Sequence, residues 1–257
     1  LEFRRVLFRS VQLLRAGMAD AMIVVGADIL SRVTQAGFQR MTALDPDSCR
    51  PFDSRRQGTV LGEGAAAAVL VALPAERATA STYCRVAGLG LSCDAHHPPA
   101  PQPHGREIMR AIDQALLNAQ VAPDDIDLVI PHGTGTHAND RIEAEVLASI
   151  FGNVSTAPPL LSIKSHIGHT AGASGLFSIL AAAFALELRQ VPCGGSCGQP
   201  DPTLRVRMPD ALICLKVSKP LRALVNACAF GGNNVSLDRK STRLNSSHTD
   251  ISRMPSS

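Results

Sequence analysis

Apolar and polar positions along the chain fall into two kinds of run. Short apolar runs bounded by Gly, Pro or Asp occur at residues 21–25, 65–72, 84–91, 126–130, 160–163, 211–217 and 221–228, with a closing run at 234–237. Runs of this length read as strands. Those at 21–25 and 65–72 are apolar at nearly every position, the pattern of strands buried on both faces, as in a parallel sheet. Between them lie stretches of helical period. In residues 105–119, Ile108, Ala111, Ile112, Ala115 and Leu116 share one face,. Residues 139–150 and the small-residue stretch 171–188 predict two more helices, and 11–17 the end of another. Residues 31–58 read as irregular, with turn signals at Asp45-Pro46-Asp47 and Arg50-Pro51-Phe52-Asp53,. Residues 74–81 read as a linker, 94–104 and 192–202 as loops. Strands alternating with helices predict an α/β layered fold. No repeat of short fixed period is visible.

Composition narrows the class. The chain has 257 residues, 45% hydrophobic and 18% charged, which excludes wholesale disorder, collagen-like repeats and a coiled coil,. No apolar run is expected to reach the ~18–20 residues that span a bilayer.

Net charge is +3, but its distribution matters more than its value. Residues 1–10 carry Glu2 against Arg4, Arg5 and Arg9. Residues 238–257 carry Asp238 and Asp250 against Arg239, Lys240, Arg243 and Arg253. Each end is thus net +2, which leaves −1 for residues 11–237. The ends are also related to each other. Back-translating Glu2 to Ser10 as GAG TTC AGA CGT GTG CTC TTC CGA TCT gives a reverse complement that, read one base in, encodes Asp238 to Ser246. This resembles adaptor read-through at both ends of a short DNA insert. The expectation is that residues 1–10 and 238–257 are non-native and stand outside fold reasoning. Without them nothing argues for nucleic acid or a membrane surface, since no basic patch is interleaved with aromatics.

The seven cysteines are Cys49, Cys84, Cys93, Cys193, Cys197, Cys214 and Cys228. An odd count with scattered spacing and no visible signal peptide reads as a reduced, cytoplasmic protein. Cys193-Gly-Gly-Ser-Cys197 lacks the second pair or nearby His that a metal site needs, so no metal is expected. It reads as a Gly-rich loop with two thiols.

Candidate chemistry collects where strands end. Pro131-His132-Gly133-Thr134-Gly135-Thr136 follows one strand and precedes Asn139, Asp140 and Glu143. Ligands in open α/β folds sit at such strand ends, and a His there can donate a proton or a hydrogen bond. Lys164-Ser165-His166-Ile167-Gly168-His169 follows a second strand, and a buried Lys there needs a carboxylate partner. Asn226-Ala227-Cys228-Ala229-Phe230-Gly231-Gly232-Asn233-Asn234 sets a Phe among small residues between two strands. Arg50-Pro51-Phe52-Asp53, with Gly58 and Gly62-Glu63-Gly64, forms a structured loop.

Together and in this order, the four segments resemble the β-ketoacyl-acyl-carrier-protein synthases, over roughly residues 16–237. The resemblance implies a thiolase-like layered fold that is incomplete here. Residues 11–81 would be the end of the first βαβ half and 82–237 a complete second half. It implies decarboxylative Claisen condensation of an acyl thioester with malonyl-acyl-carrier protein, in fatty acid or polyketide synthesis. The elongating members use a Cys nucleophile and two His. By motif, His132 and His169 resemble that His pair and Lys164 the family's active-site Lys. Thr134 and Thr136 resemble contacts to the phosphopantetheine arm. Phe230 resembles the gating Phe, with Gly231 and Gly232 the turn that lets it move. The resemblance implies no cofactor, since substrates ride on the carrier protein's phosphopantetheine. The implied partners are acyl carrier protein and, in the full-length parent, a second copy as a homodimer.

Three departures matter. None of the seven cysteines stands in a nucleophile motif; the nucleophile is expected upstream of residue 11, so this chain is expected to be inactive in condensation. The helix after His169 usually carries a Glu near Ser178; with Ser there, Lys164 is expected to pair with Asp140 or Glu143. The gate reads Cys228-Ala229-Phe230 where Phe-Gly-Phe is usual, and Ala229 is expected to stiffen it. The alternative in the same fold is a chain-length-factor-like homologue without catalysis, which retention of His132, Lys164 and His169 disfavours.

Overall fold

A computed structural model describes residues 3–72, 82–97, 100–193, 199–215 and 219–241. The first unit contains α1 (Phe3–Arg15), β1 (Ala21–Asp28), α2 (Arg32–Arg40) and β2 (Gly64–Val71). The second contains β3 (Cys84–Cys93), α3 (Arg106–Ala119), β4 (Leu128–Ile130), α4 (His137–Phe151), α5 (Lys164–Ile167) and α6 (Ala171–Leu188). It ends with β5 (Gln190–Val191), β6 (Ile213–Cys214), β7 (Arg222–Ala229) and β8 (Asn233–Ser241).

The main sheet has the order β3-β8-β7-β4, with β4 and β7 parallel and the other pairs antiparallel. One face packs on α3 and α4, through Ile108, Ile112, Leu116, Ile142 and Leu147 against Val129 and Leu224. The other packs on α6, whose Leu176, Ala182 and Leu186 share a core with Leu128, Ile130, Ala223 and Val225. That core continues to Leu7 and Val11 of α1, Val24 of β1 and Ala66 of β2. Helix α6 therefore lies between two sheets, which gives the α/β layers read from the sequence. Its small residues suit this place, since a helix covered on both sides must be apolar all round.

Several elements differ from expectation. Strands β1 and β2 pair antiparallel, Ala21 opposite Val71 through Asp28 opposite Gly64. They are not doubly buried parallel strands: Val24 is buried, but Ile23, Val25 and Val69 are 73%, 57% and 66% exposed. Helix α2 lies in the stretch read as irregular. None of its residues is buried, so no apolar stripe announces it; Ser31 caps it, accepting from Val33 N at 3.2 Å,. Residues 160–163 make one bridge, Leu160 to Val129, before the chain turns into α5, and form no regular strand. Among the described residues of the 211–217 run, the strand is Ile213–Cys214. The linker at 74–81 lies outside the described residues.

Helix α6 also corrects the expectation about apolar length. It has 18 residues of mean hydropathy 1.7, enough to cross a bilayer by length and composition, although its core-facing residues are buried inside the protein. Cys193 is disulfide-bonded, so the readings of that loop as two thiols and of the chain as fully reduced do not hold. Residues 10 and 238 are not structural boundaries. Helix α1 runs through the first, with Leu7 and Ser10 buried, and β8 runs through the second, pairing Asp238 with Gly88 and Leu224.

Candidate active site

The site forms where β4, α5 and the β7–β8 turn end on one side of the sheet. The loop from Pro131 to Thr136 leaves β4 and enters α4. Gly133 and Gly135 have φ of 40° and 79°, and these left-handed turns bend the loop back on itself,. Its amides are collected by two carboxylates on the first turns of α4. Glu143 accepts from His132 N at 2.7 Å and Gly133 N at 2.8 Å. Asp140 accepts from Thr134 N at 3.1 Å and Gly135 N at 3.2 Å through Oδ1, and from Phe52 N at 2.8 Å through Oδ2. Both carboxylates are fully buried, and burial pushes both carboxyl pKa values up against the pull of these amides. The Lys164 charge favours the ionised form of Glu143.

Lys164, 2% exposed on α5, donates to the His132 carbonyl. The expected partnership with Asp140 or Glu143 thus takes a particular form. The carboxylates hold the loop's N–H groups while the ammonium holds its carbonyl and acts on Glu143 through space. Ser162 adds a bond from Oγ to the Gly133 carbonyl at 2.9 Å.

His169 follows α5 and is fixed by its backbone. Its N–H donates to Val60 O at 2.7 Å, and its O accepts from Gly62 N at 3.2 Å. Gly62 packs so closely on the Ile167 carbonyl that a Cβ has no room. Ala171 N donates to His169 Nδ1 at 3.2 Å. An accepting Nδ1 carries no proton, so the neutral ring carries it on Nε2. The His132 and His169 rings stand 5.6 Å apart at 81°.

The remaining predicted residues lie further along the same loop and at the β7–β8 turn. Thr134 and Thr136 share a hydrogen bond between hydroxyls at 2.9 Å. Phe230 is 40% exposed at the β7–β8 turn. Left-handed φ falls at Gly231 (84°) and Gly232 (73°), whereas Ala229 is still a strand residue opposite Asn233. The turn's backbone freedom therefore resides in the two glycines. Among the described residues no group of three His, Cys, Asp or Glu side chains is placed to hold a metal ion.

A family model described as the β-ketoacyl synthase N-terminal domain matches residues 6–75, and one described as its C-terminal domain matches residues 83–194. The chain belongs to the β-ketoacyl synthase family. Nodulation protein E of Rhizobium meliloti is 36% identical over 231 residues, covering 89% of this chain and 56% of that protein. The 3-oxoacyl-[acyl-carrier-protein] synthase 2 of Synechocystis is 35% identical, with the same two coverages of 89% and 56%. The chain therefore spans about half the length of the curated relatives it matches. Among solved structures, the ishigamide ketosynthase/chain length factor superposes with TM-score 0.82 at 33% identity, covering 91% of this chain and 57% of that one. A ketosynthase in complex with its chain length factor from Xenorhabdus doucetiae gives TM-score 0.80 at 34% identity, covering 92% and 57%.

Two contributions to this site escape sequence reading. Phe38, on the unannounced α2, stands 5.6 Å from the Phe230 ring and 6.5 Å from His169. Nothing in its local sequence marks it. Asp94 accepts from Asn234 Nδ2 at 2.6 Å, and its N–H donates to Gly232 O at 2.7 Å, fastening the β7–β8 turn to the loop after β3. The Gly232-Asn233-Asn234 run was legible as a turn, but its partner 140 residues away was not. Cys49 is also nearby, its buried thiol donating to Thr134 O at 3.4 Å. Burial pushes its pKa up, which suits a packed thiol and not a nucleophile,.

Proposed function

We propose that the whole protein joins an acyl group, carried as a thioester on a Cys, to malonyl-acyl-carrier protein with loss of carbon dioxide. No Cys of this chain is assigned that nucleophile's role. The observation that carries the reading is the orthogonal His132–His169 pair, backed by Lys164. In the decarboxylation step the bond between the malonyl carboxylate and its α-carbon breaks, and its electron pair moves into the thioester to form an enolate. His169, with its proton on Nε2, supplies a donor for the enolate oxygen,. His132 supplies the second. The enolate carbon then attacks the acyl carbonyl, and the Cys thiolate leaves.

The Thr134–Thr136 hydroxyl pair is suited to the amides of a phosphopantetheine arm, and Phe230 to gating the acyl side. Acyl carrier protein is the partner this assigns. We also assign the protein to the cytoplasm and to a homodimer. The exposed apolar face of Ile23, Val25 and Val69 is surface of the kind that protein contact covers,. A non-catalytic chain-length-factor role does not explain why Lys164 is buried against the loop that carries His132.

The test is release of carbon dioxide from malonyl-carrier-protein thioester. His169→Ala and His132→Ala are each expected to reduce it by at least about 100-fold, the scale of one lost oxyanion donor. Decarboxylation unchanged in both variants refutes the reading.

A further inference from the structure

We propose that Asp140 is the positioning residue of the pantetheine-binding turn, while Glu143, bridged to it by the Asn139 amide, positions His132. The inference rests on the ketosynthase reading and adds a division of labour to it. Asp140 and Glu143 are three residues apart on α4, so they lie on one face,. They divide four consecutive amides between them. Glu143 takes His132 and Gly133; Asp140 takes Thr134 and Gly135. The division falls between the residue that bears the imidazole and the residues that bear the hydroxyls.

Asp140 has a second connection that Glu143 lacks. Its Oδ2 holds Phe52 N. Phe52 is fully buried with φ 61°, and its ring backs the loop so closely that a Cβ on Gly133 would stand 3.1 Å from Cε2. Gly135 lies against the same strap, 2.5 Å from Gly58 O at the point a Cβ would occupy. The Thr134–Thr136 turn is thus clamped between α4 and the segment 52–58, with Asp140 as the shared acceptor. A carboxylate can serve three N–H donors at once; an amide of the same size turns one oxygen into a donor that faces an N–H.

Asp140→Asn is therefore expected to loosen the turn while leaving His132 in place. The probe is malonyl-pantetheine, with the whole protein titrated for binding and assayed for decarboxylation. Asp140→Asn should raise Kd and KM about tenfold with kcat within about threefold, whereas Glu143→Gln should act mainly on kcat. Combined with Thr134→Val/Thr136→Val, Asp140→Asn should add no further loss of binding, the non-additivity expected if it works through those hydroxyls. Gly135→Ala displaces the same turn from its other side and serves where Asp140→Asn does not fold; it should show the same KM effect. If the unaltered whole protein does not bind malonyl-pantetheine, the ketosynthase reading falls and this inference with it. If it binds and Asp140→Asn, or in its place Gly135→Ala, leaves Kd unchanged or lowers kcat and KM effects together, the inference alone is overturned.

Discussion

The seam between β3 and α3 is built on two glycines, and replacing one tests how the sheet carries its helical layer. In Gly90→Ala the new Cβ would stand 2.8 Å from the Ala111 carbonyl carbon and 2.9 Å from Ala115 N, and closer still to the Ala111 oxygen. These are backbone atoms of a helix and cannot rotate aside. Favourable carbon contacts lie at about 3.5–4.0 Å, so α3 must retreat by roughly 1 Å along this seam, and a gap of that size forfeits up to about half of each contact. Overpacking of this kind costs about 1–3 kcal/mol, and a rigid backbone obstacle belongs at the upper end. The lower chain entropy of Ala returns at most about 1 kcal/mol. The expected net loss is about 2 kcal/mol. Gly37→Ala is the matched control. Gly37 lies inside α2 with nothing within 4 Å of its Cβ position, so Ala there should stabilise by about 0.8–1 kcal/mol. Urea denaturation followed by far-ultraviolet circular dichroism reads both, with unchanged slopes showing that the unfolded state is not altered. Gly90→Ala within about 0.5 kcal/mol of the unaltered chain, or both variants shifting in the same direction, refutes the reasoning.

Other contacts give further tests. The Arg56–Asp201 pair, 2.6 Å apart, holds the Asp201 carboxyl down to about 2. Its folded value lies below the unfolded one, so its stabilisation is present above about pH 4 and is lost as pH falls toward 2,. Asp201→Asn should flatten the acid limb of a stability profile measured by thermal melting; an unchanged limb excludes the pair as its source. Lys164→Met strands the Glu143 charge and the His132 carbonyl, and should cost about 3–5 kcal/mol at neutral pH. Because burial already raises Glu143, and a protonated carboxyl needs no cation, that cost should shrink as pH is lowered; a pH-independent cost contradicts it. Phe38→Leu removes the ring contacts to Phe230 and His169, worth about 0.5–1.5 kcal/mol for an aromatic pair. It should shift the His169 ring resonances in a proton–carbon spectrum, and unmoved resonances would show that the contact is not populated.

The legible part of the fold was the part whose burial repeats with a regular period. Helix α3 places Ile108, Ile112 and Leu116 on one face, and those residues are buried. Helix α2 was illegible because its residues stay near the surface and no apolar period develops. For β1 and β2 the obstacle was different. A strand apolar at every position reads as buried on both faces, yet Ile23 and Val25 point outward while Val24 points inward. Apolar content reports what surface is available to be covered; which face is covered depends on what packs there. The register of β3 with β8 shows the same dependence, since it joins residues 140 or more positions apart.

The site divides along a similar line. His132 and Phe230 were legible because each follows a strand, and Lys164 and His169 because they follow the apolar run 160–163, which reads as a strand although it makes a single bridge. Asp140 and Glu143 were legible as supporting residues, but their partners were not, because four of the five backbone amides they hold come from a loop whose path is set by left-handed Gly133 and Gly135. A carboxylate facing a Lys in sequence logic is a charge partner; facing a curled loop it is also an acceptor for N–H groups that would otherwise be buried without bonds. Lys164 completes the same accounting from the other side by satisfying the His132 carbonyl. The buried charges are thus coupled through the backbone that carries the imidazole. Removing Lys164 or Glu143 should move His132 as well as lower stability, which makes these two variants tests of geometry as much as of electrostatics.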